Sequence, residues 1–312
     1  MQPVLAGANL PAMNRREWAL LLILATLWGG SFFFLKILAS ELPTLTIVWA
    51  RLAVSALVLN LWIYSRGDRM PSTMEFWAPI GVMSLFNNLI PFILITFAES
   101  RITSGLASIL NASTPLFTVL FAHWFTSDER ATAAKAIGVV GGFLGVALLI
   151  GETFGGDIVG ESASLVAAIS YAGSGLFARR FRTVQPIKLA TGQVTIGALM
   201  LLPFAALIDR PWTMASPSPE AWSAILGLSL LSTVIAYEIF FRLLASAGAT
   251  NVLLVTFLSP IAAVILGAAF LGESIVARQF AALALIAGGI LLIDGRLLKA
   301  KDGSLGEREI GR

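Results

Sequence analysis

WGGSFFFLKILASELP (residues 28–43) and YAGSGLFARRFRTVQP (171–186) share one frame: an aromatic residue, a serine three places on, and a proline 15 residues after the aromatic. The first of them opens midway through an apolar run, and a helix needs about 20 such residues to cross a bilayer. Runs of this kind recur at 18–39, 45–64, 77–97, 104–125, 132–150, 163–181, 187–208, 222–244, 249–271 and 276–293. The fold class expected is therefore an all-α polytopic membrane protein with ten transmembrane helices. The first run is longer than a signal-peptide core and lacks a following A-x-A site, so it reads as a retained helix.

Composition agrees with that expectation. Of 312 residues, 57% are hydrophobic and 12% charged, and the mean hydropathy is +0.85. A soluble domain carries about twice that share of charge. A net charge of +3 is too small for a nucleic-acid footprint. With no cysteine and one histidine, thiolate metal sites, disulfides and Cys or His chemistry fall away. No metal or cofactor is expected. The connections between runs are short, and none is large enough to hold a catalytic domain.

Basic residues fix the expected orientation. Of 21 Lys and Arg, sixteen fall on the side that holds both termini and loops 2–3, 4–5, 6–7 and 8–9. Four fall on the other side (Lys36, Arg101, Arg210 and Arg278), and Arg51 lies within the second run. By the positive-inside rule both termini are expected to be cytoplasmic.

The frame quoted above belongs to a longer internal repeat. Trp77 to Pro115 spans 38 residues, as does Trp222 to Pro260; Glu129 to Gly145 spans 16, as does Glu273 to Gly289. The expected halves are residues 1–150 and 151–312, each with five spans. Five is odd, so the second copy enters the membrane upside down. Inverted repeats place a transport site near the midplane between the halves.

The segments LATLWGGSFFFLK (24–36), LNASTPLFTVLFAHWFTSDE (110–129), IGVVGGFLGVALLI (137–150), FLSPIAAVILGAAFLGE (257–273) and LALIAGGILLI (283–293) resemble the EamA-type repeats of the drug/metabolite transporter superfamily. The resemblance covers nearly the whole chain and implies a ten-helix exporter of small metabolites, amino-acid exporters among its members. One departure is an extra residue between Pro115 and Glu129, compared with Pro260 and Glu273.

Seven of the eight tryptophans sit at span ends, where they serve as interfacial anchors. Trp28 and its repeat partner Tyr171 are mid-span and suit a substrate cavity, since such rings stack and hydrogen-bond; core packing is the plainer alternative. Ser31 and Ser174 share their faces at i+3. Asn87 and Asn88 lie mid-span in helix 3, where an amide needs a partner or water. As neighbours they point about 100° apart. Asn111 precedes Pro115, which frees its carbonyl from the helix ladder, and Pro260 does the same for Thr256. The two prolines are therefore candidate hinges, or else static kinks. Intramembrane charges are functional candidates by default. Glu238, beside Tyr237, suits proton coupling or an ammonium group, or it pairs with Arg242 one turn on. Arg51 is the second. Small residues at Ala134, Gly138 and Gly142 permit close helix packing, within one chain or between two.

The function expected is export of small organic metabolites, most plausibly amino acids, by a secondary transporter that alternates access to a midplane cavity. A multidrug exporter of lipophilic cations is the alternative within transport. An intramembrane enzyme is disfavoured because no nucleophile–base pair or metal set occurs at membrane depth. The expected partners are a small solute and the lipid bilayer, with no nucleic acid; monomer and oligomer are left open by the sequence.

Overall fold

A computed structural model of the chain describes residues 13–125, 133–150, 157–181, 183–252 and 254–294. Arg130, Arg182, Arg296, Lys299, Lys301, Arg308 and Arg312 of the basic side lie outside the described residues, as does Glu129 of the repeat spacing. Those described form helices α1 (Arg15–Ala39), α2 (Thr44–Ser65), α3 (Met74–Glu99), α4 (Ser104–Phe125) and α5 (Ala133–Leu149). They continue with α6 (Ile158–Phe177), α7 (Pro186–Phe204), α8 (Pro219–Ala247), α9 (Val255–Phe270) and α10 (Ala277–Asp294). Among the described residues there is no strand. Six stretches are long and apolar enough to cross a membrane on their own: α1, α2, α3, α4, α7 with its extension to Thr213, and α8. Shorter apolar helices cover Lys135–Leu149, Val255–Phe270 and Ala277–Ile293.

Local sequence sets the helix ends. Asn14 caps α1 in a capping box with Glu17, each side chain taking the other's backbone N–H. Thr103, Asp157 and Ser218 accept from the first turns of α4, α6 and α8. Pro186 and Pro219 stand at the first helical position, where a missing N–H costs nothing. The sixth apolar run was expected at 163–181; the helix instead starts at Ile158 and gives way to a 3₁₀ turn over Ala178–Phe181. The charge of Glu161 hid its first turn, yet Glu161 is buried.

Two long helices widen in their middles. In α3 the backbone passes through a π-helical segment at Leu85–Leu89, where the N–H of Ile90 reaches back five residues to Leu85. Pro91 cannot donate to the carbonyl of Asn87, so the ladder is already broken there. In α8 a π-helical segment covers Gly227–Ile235. Hydroxyls fill the freed carbonyls: Ser170 donates to Phe86 at 2.7 Å and Thr233 to Leu228 at 3.1 Å. Such segments are frequent at functional sites because they leave backbone groups free for side chains.

The prolines expected as paired bends behave differently. α4 breaks at Ala112–Ser113, just before Pro115, and the hydroxyl of Thr114 takes the carbonyl of Asn111 at 2.7 Å. Pro260 lies inside α9, which continues to Phe270. One copy has a break and the other a helix that absorbs its proline.

Helix packing follows a two-fold scheme. α1 packs chiefly on α8 and α9, and α6 chiefly on α3 and α4; α2 lies on α7, and α5 on α10. Exchanging α1–α5 for α6–α10 leaves this scheme unchanged. A Cβ on Gly29 would strike the carbonyl of Ser259, so glycine is what lets α1 approach α9. A Cβ on Gly138 would strike the carbonyl of Gly289, and one on Gly145 that of Ala282. The small residues of α5 thus serve contact with α10 within this chain. Backbones this close gain dispersion contacts without needing a hydrophobic drive, which lipid does not supply.

Candidate functional site

A cavity of about 660 Å³ lies between the halves, lined by residues from α1, α2, α3, α4, α6, α7, α8 and α9. Its lining runs out to exposed Pro186 and to Val184 in the connection between α6 and α7. At the opposite end the last lining residues, Leu35, Arg51, Ile95 and Ser108, are within helices. The cavity therefore has its mouth at the α6–α7 end.

Of the residues singled out from the sequence, Trp28, Ser31, Asn87, Asn111, Tyr171, Ser174, Tyr237 and Pro260 line this cavity. The repeated frame is preserved in detail. Ser31 donates to the carbonyl of Trp28 at 2.6 Å, and the hydroxyl of Ser174 lies 2.8 Å from the carbonyl of Tyr171. Each serine is held back against its own helix one turn from its aromatic ring. Trp28 packs its ring on Phe240, with centroids 5.5 Å apart.

Asn87 organises the polar wall. Its Nδ2 donates to Oε1 of Gln193 at 2.9 Å, and its Oδ1 lies 2.9 Å from the hydroxyl of Ser174. Three helices, α3, α6 and α7, are joined through one amide. Gln193 was missed in the sequence, since a single glutamine in an apolar run carries no spacing signal. Asn111 lines the cavity, while its side-chain oxygen is itself buried and has no hydrogen-bond partner.

Three of the candidates stand off the cavity lining. Asn88 does not line the cavity: it is fully buried, with its Nδ2 3.5 Å from the hydroxyl of Tyr237. The 100° step between neighbours turns it into the bundle while Asn87 faces the space. Glu238 does not line the cavity either; it accepts from Arg242 at 2.8 Å on a half-exposed face of α8. The helical step from Tyr237 carries it away from the site. Pro115, expected as a hinge and not as lining, is not among the lining residues, whereas Thr114 is.

Arg51 is buried to 8% exposure and is the one charged residue among the described lining. Its Nε donates to the hydroxyl of Thr233 at 3.0 Å, and its guanidinium carbon sits 3.8 Å from the centroid of the Phe92 ring. No carboxylate among the described residues pairs with it.

A second polar cluster closes the end opposite the mouth. Lys36 donates to the carbonyls of Glu99 and Ile102 at 2.7 and 2.8 Å. Ser104 donates its hydroxyl to buried Glu99 at 2.9 Å and its backbone N–H to Glu273 at 2.9 Å. Outside the spans, Ser218 donates both its hydroxyl and its N–H to Glu41, which holds that carboxyl below its usual range. These ties join α1, α3, α4 and the end of α9, and α1 to the start of α8. Lys36 lies near the end of the first apolar run and Glu99 just past the end of the third, where a charge carries no signal of its own. No group of three or more metal-ligating His, Cys, Asp or Glu occurs among the described residues.

Comparisons with known proteins give the same picture from another direction. The EamA-like transporter family matches the chain twice, over residues 16–151 and 158–294. An uncharacterized transporter of Bacillus subtilis, YvbV, is 28% identical over 302 residues, covering 94% of this chain and 96% of that protein. The uncharacterized inner membrane transporter YedA of Escherichia coli K12 is 25% identical over 278 residues, covering 88% and 89%. A solved crystal structure shares the fold with a TM-score of 0.64 at 19% identity, covering 89% of this chain and 97% of its own. The chain is an integral membrane protein and belongs to the EamA-like transporter family, whose members are transporters and not enzymes.

Proposed function

We propose that the chain is a secondary transporter that exports small organic metabolites, with amino acids as the favoured class. In this reading ten spans form two inverted five-helix repeats, residues 1–150 and 151–312, with both termini cytoplasmic in the inner membrane. The observation that carries it is the meeting of Trp28–Ser31 and Tyr171–Ser174 on one cavity. A pair related by an inverted repeat and shared by one cavity lies near the axis about which the halves move.

The exchangeable packing of α1–α5 and α6–α10 supports the same symmetry. With the mouth at the α6–α7 end, this is the state that loads from the cytoplasm. Trp28, Tyr171 and Phe240 give the cavity an apolar body, and Asn87, Asn111 and Gln193 give it amide groups suited to a small polar solute. A lipophilic cation would meet Arg51 and no carboxylate among the described lining, so multidrug export is the weaker reading.

The test is uptake into proteoliposomes of the reconstituted full chain across a panel of labelled amino acids. The reading expects saturable uptake of a subset. No uptake of any member contradicts it.

A further inference from the structure

Arg51 is a buried charge on the cavity lining with no ion-pair partner among the described residues. Guanidinium offers five N–H donors and is never neutral in a protein. One of the five goes to Thr233, and no acceptor among the described residues takes the others. Phe92 covers one face of the group. A buried cation so sparsely matched is costly to the protein alone. It becomes favourable when an anion arrives, because the planar fork takes both oxygens of a carboxylate at once.

We propose that Arg51 is the residue that recognises a carboxylate on the transported solute, and that the substrate class is monocarboxylates with an apolar body. The inference rests on the transport reading given above. Charge balance selects the anion: one guanidinium offsets one negative charge, and the described lining holds no second cation. A phosphate ester carries about −1.5 to −2 at neutral pH and would leave charge buried without a partner. Trp28 and Tyr171 are then the walls for the apolar body. An amino group is not what selects the solute.

Two matched sets test it with the reconstituted full chain: phenylalanine, 3-phenylpropionate, phenylalaninamide and phenethylamine, and the four leucine counterparts, each with a phosphate monoester of similar size. Uptake by proteoliposomes and solute-induced shifts in thermal unfolding are both measured. The carboxylates are expected to enter and to stabilise the protein, with the amide, amine and phosphate weaker by at least about tenfold. Arg51→Gln is expected to abolish the discrimination and Arg51→Lys to keep part of it. Equal uptake of the amide or amine by the wild-type chain overturns the proposal and leaves the transport reading standing. So does an Arg51→Gln protein that still prefers carboxylates. If Arg51→Gln does not fold, the wild-type comparison of carboxylate with amide decides alone. Uptake of none of these solutes overturns the proposal; uptake of none in the wider amino-acid panel overturns the transport reading as well.

Discussion

Arg51 in α2 donates its Nε–H to the hydroxyl of Thr233 in α8 across 3.0 Å, and Thr233 donates its own proton to the carbonyl of Leu228. The relay aims a guanidinium at the cavity by way of the π-helical segment of α8. Without that widening, the carbonyl of Leu228 would not be matched to a hydroxyl five residues on.

Replacing Thr233 by valine keeps the shape and removes the acceptor. A hydrogen bond to a charged group is worth about 1.5–3 kcal/mol. The half-saturation concentration for uptake of a carboxylate solute is therefore expected to rise by about tenfold or more, with the maximal rate little changed. Uptake kinetics in proteoliposomes check this; a changed maximal rate at constant half-saturation would place Thr233 in the motion instead.

Trp28→Ala and Tyr171→Ala each remove a ring from the cavity wall. Both variants are expected to express and fold, with uptake reduced more than about tenfold, since the ring's apolar area contributes roughly 25 cal/mol per Å² of contact. Trp28→Phe and Tyr171→Phe should recover part of the loss. Wild-type uptake by both alanine variants would remove these rings from the site.

Glu238→Gln is expected to leave uptake and its pH dependence unchanged. The carboxylate is partly exposed and pairs with Arg242 one turn away, an arrangement worth about 0.3–0.5 kcal/mol. A flattened pH profile in this variant would return Glu238 to the role of proton carrier.

Glu238 also shows where reading the sequence stops. The apolar runs located the helices, and the 15-residue spacing located Trp28 and Tyr171, because both signals are one-dimensional. Which side of a helix faces the cavity is a different question. A soluble helix answers it by being polar on one face, but lipid and protein interior are both apolar, so α1 carries almost no such stripe. Asn88 was thus grouped with Asn87, and Glu238 with Tyr237, although a single helical step separates inside from out. The pairing of Lys36, Glu99, Ser104 and Glu273 was illegible for a related reason. Each stands at a span end, and only tertiary packing brings four ends together.

The α5–α10 contact allows a test of stability. Gly138→Val drives side-chain atoms into the carbonyl of Gly289 and is expected to destabilise by about 1–3 kcal/mol or more. Gly141, three residues on, has nothing near its missing Cβ. Gly141→Ala is expected to be neutral or stabilising by up to about 1 kcal/mol. Thermal unfolding of the purified variants compares them; equal loss at both positions would contradict the close approach.

The central claim is that the cavity between the halves is the path of the solute. The chain has no cysteine, so one introduced thiol reports without background. Gly175 lines the cavity and has open space around its missing Cβ, which makes Gly175→Cys the probe. After modification with a bulky methanethiosulfonate, uptake is predicted to fall in proportion to labelling, and the transported solute is predicted to slow the labelling. Complete labelling with uptake unchanged would contradict the account.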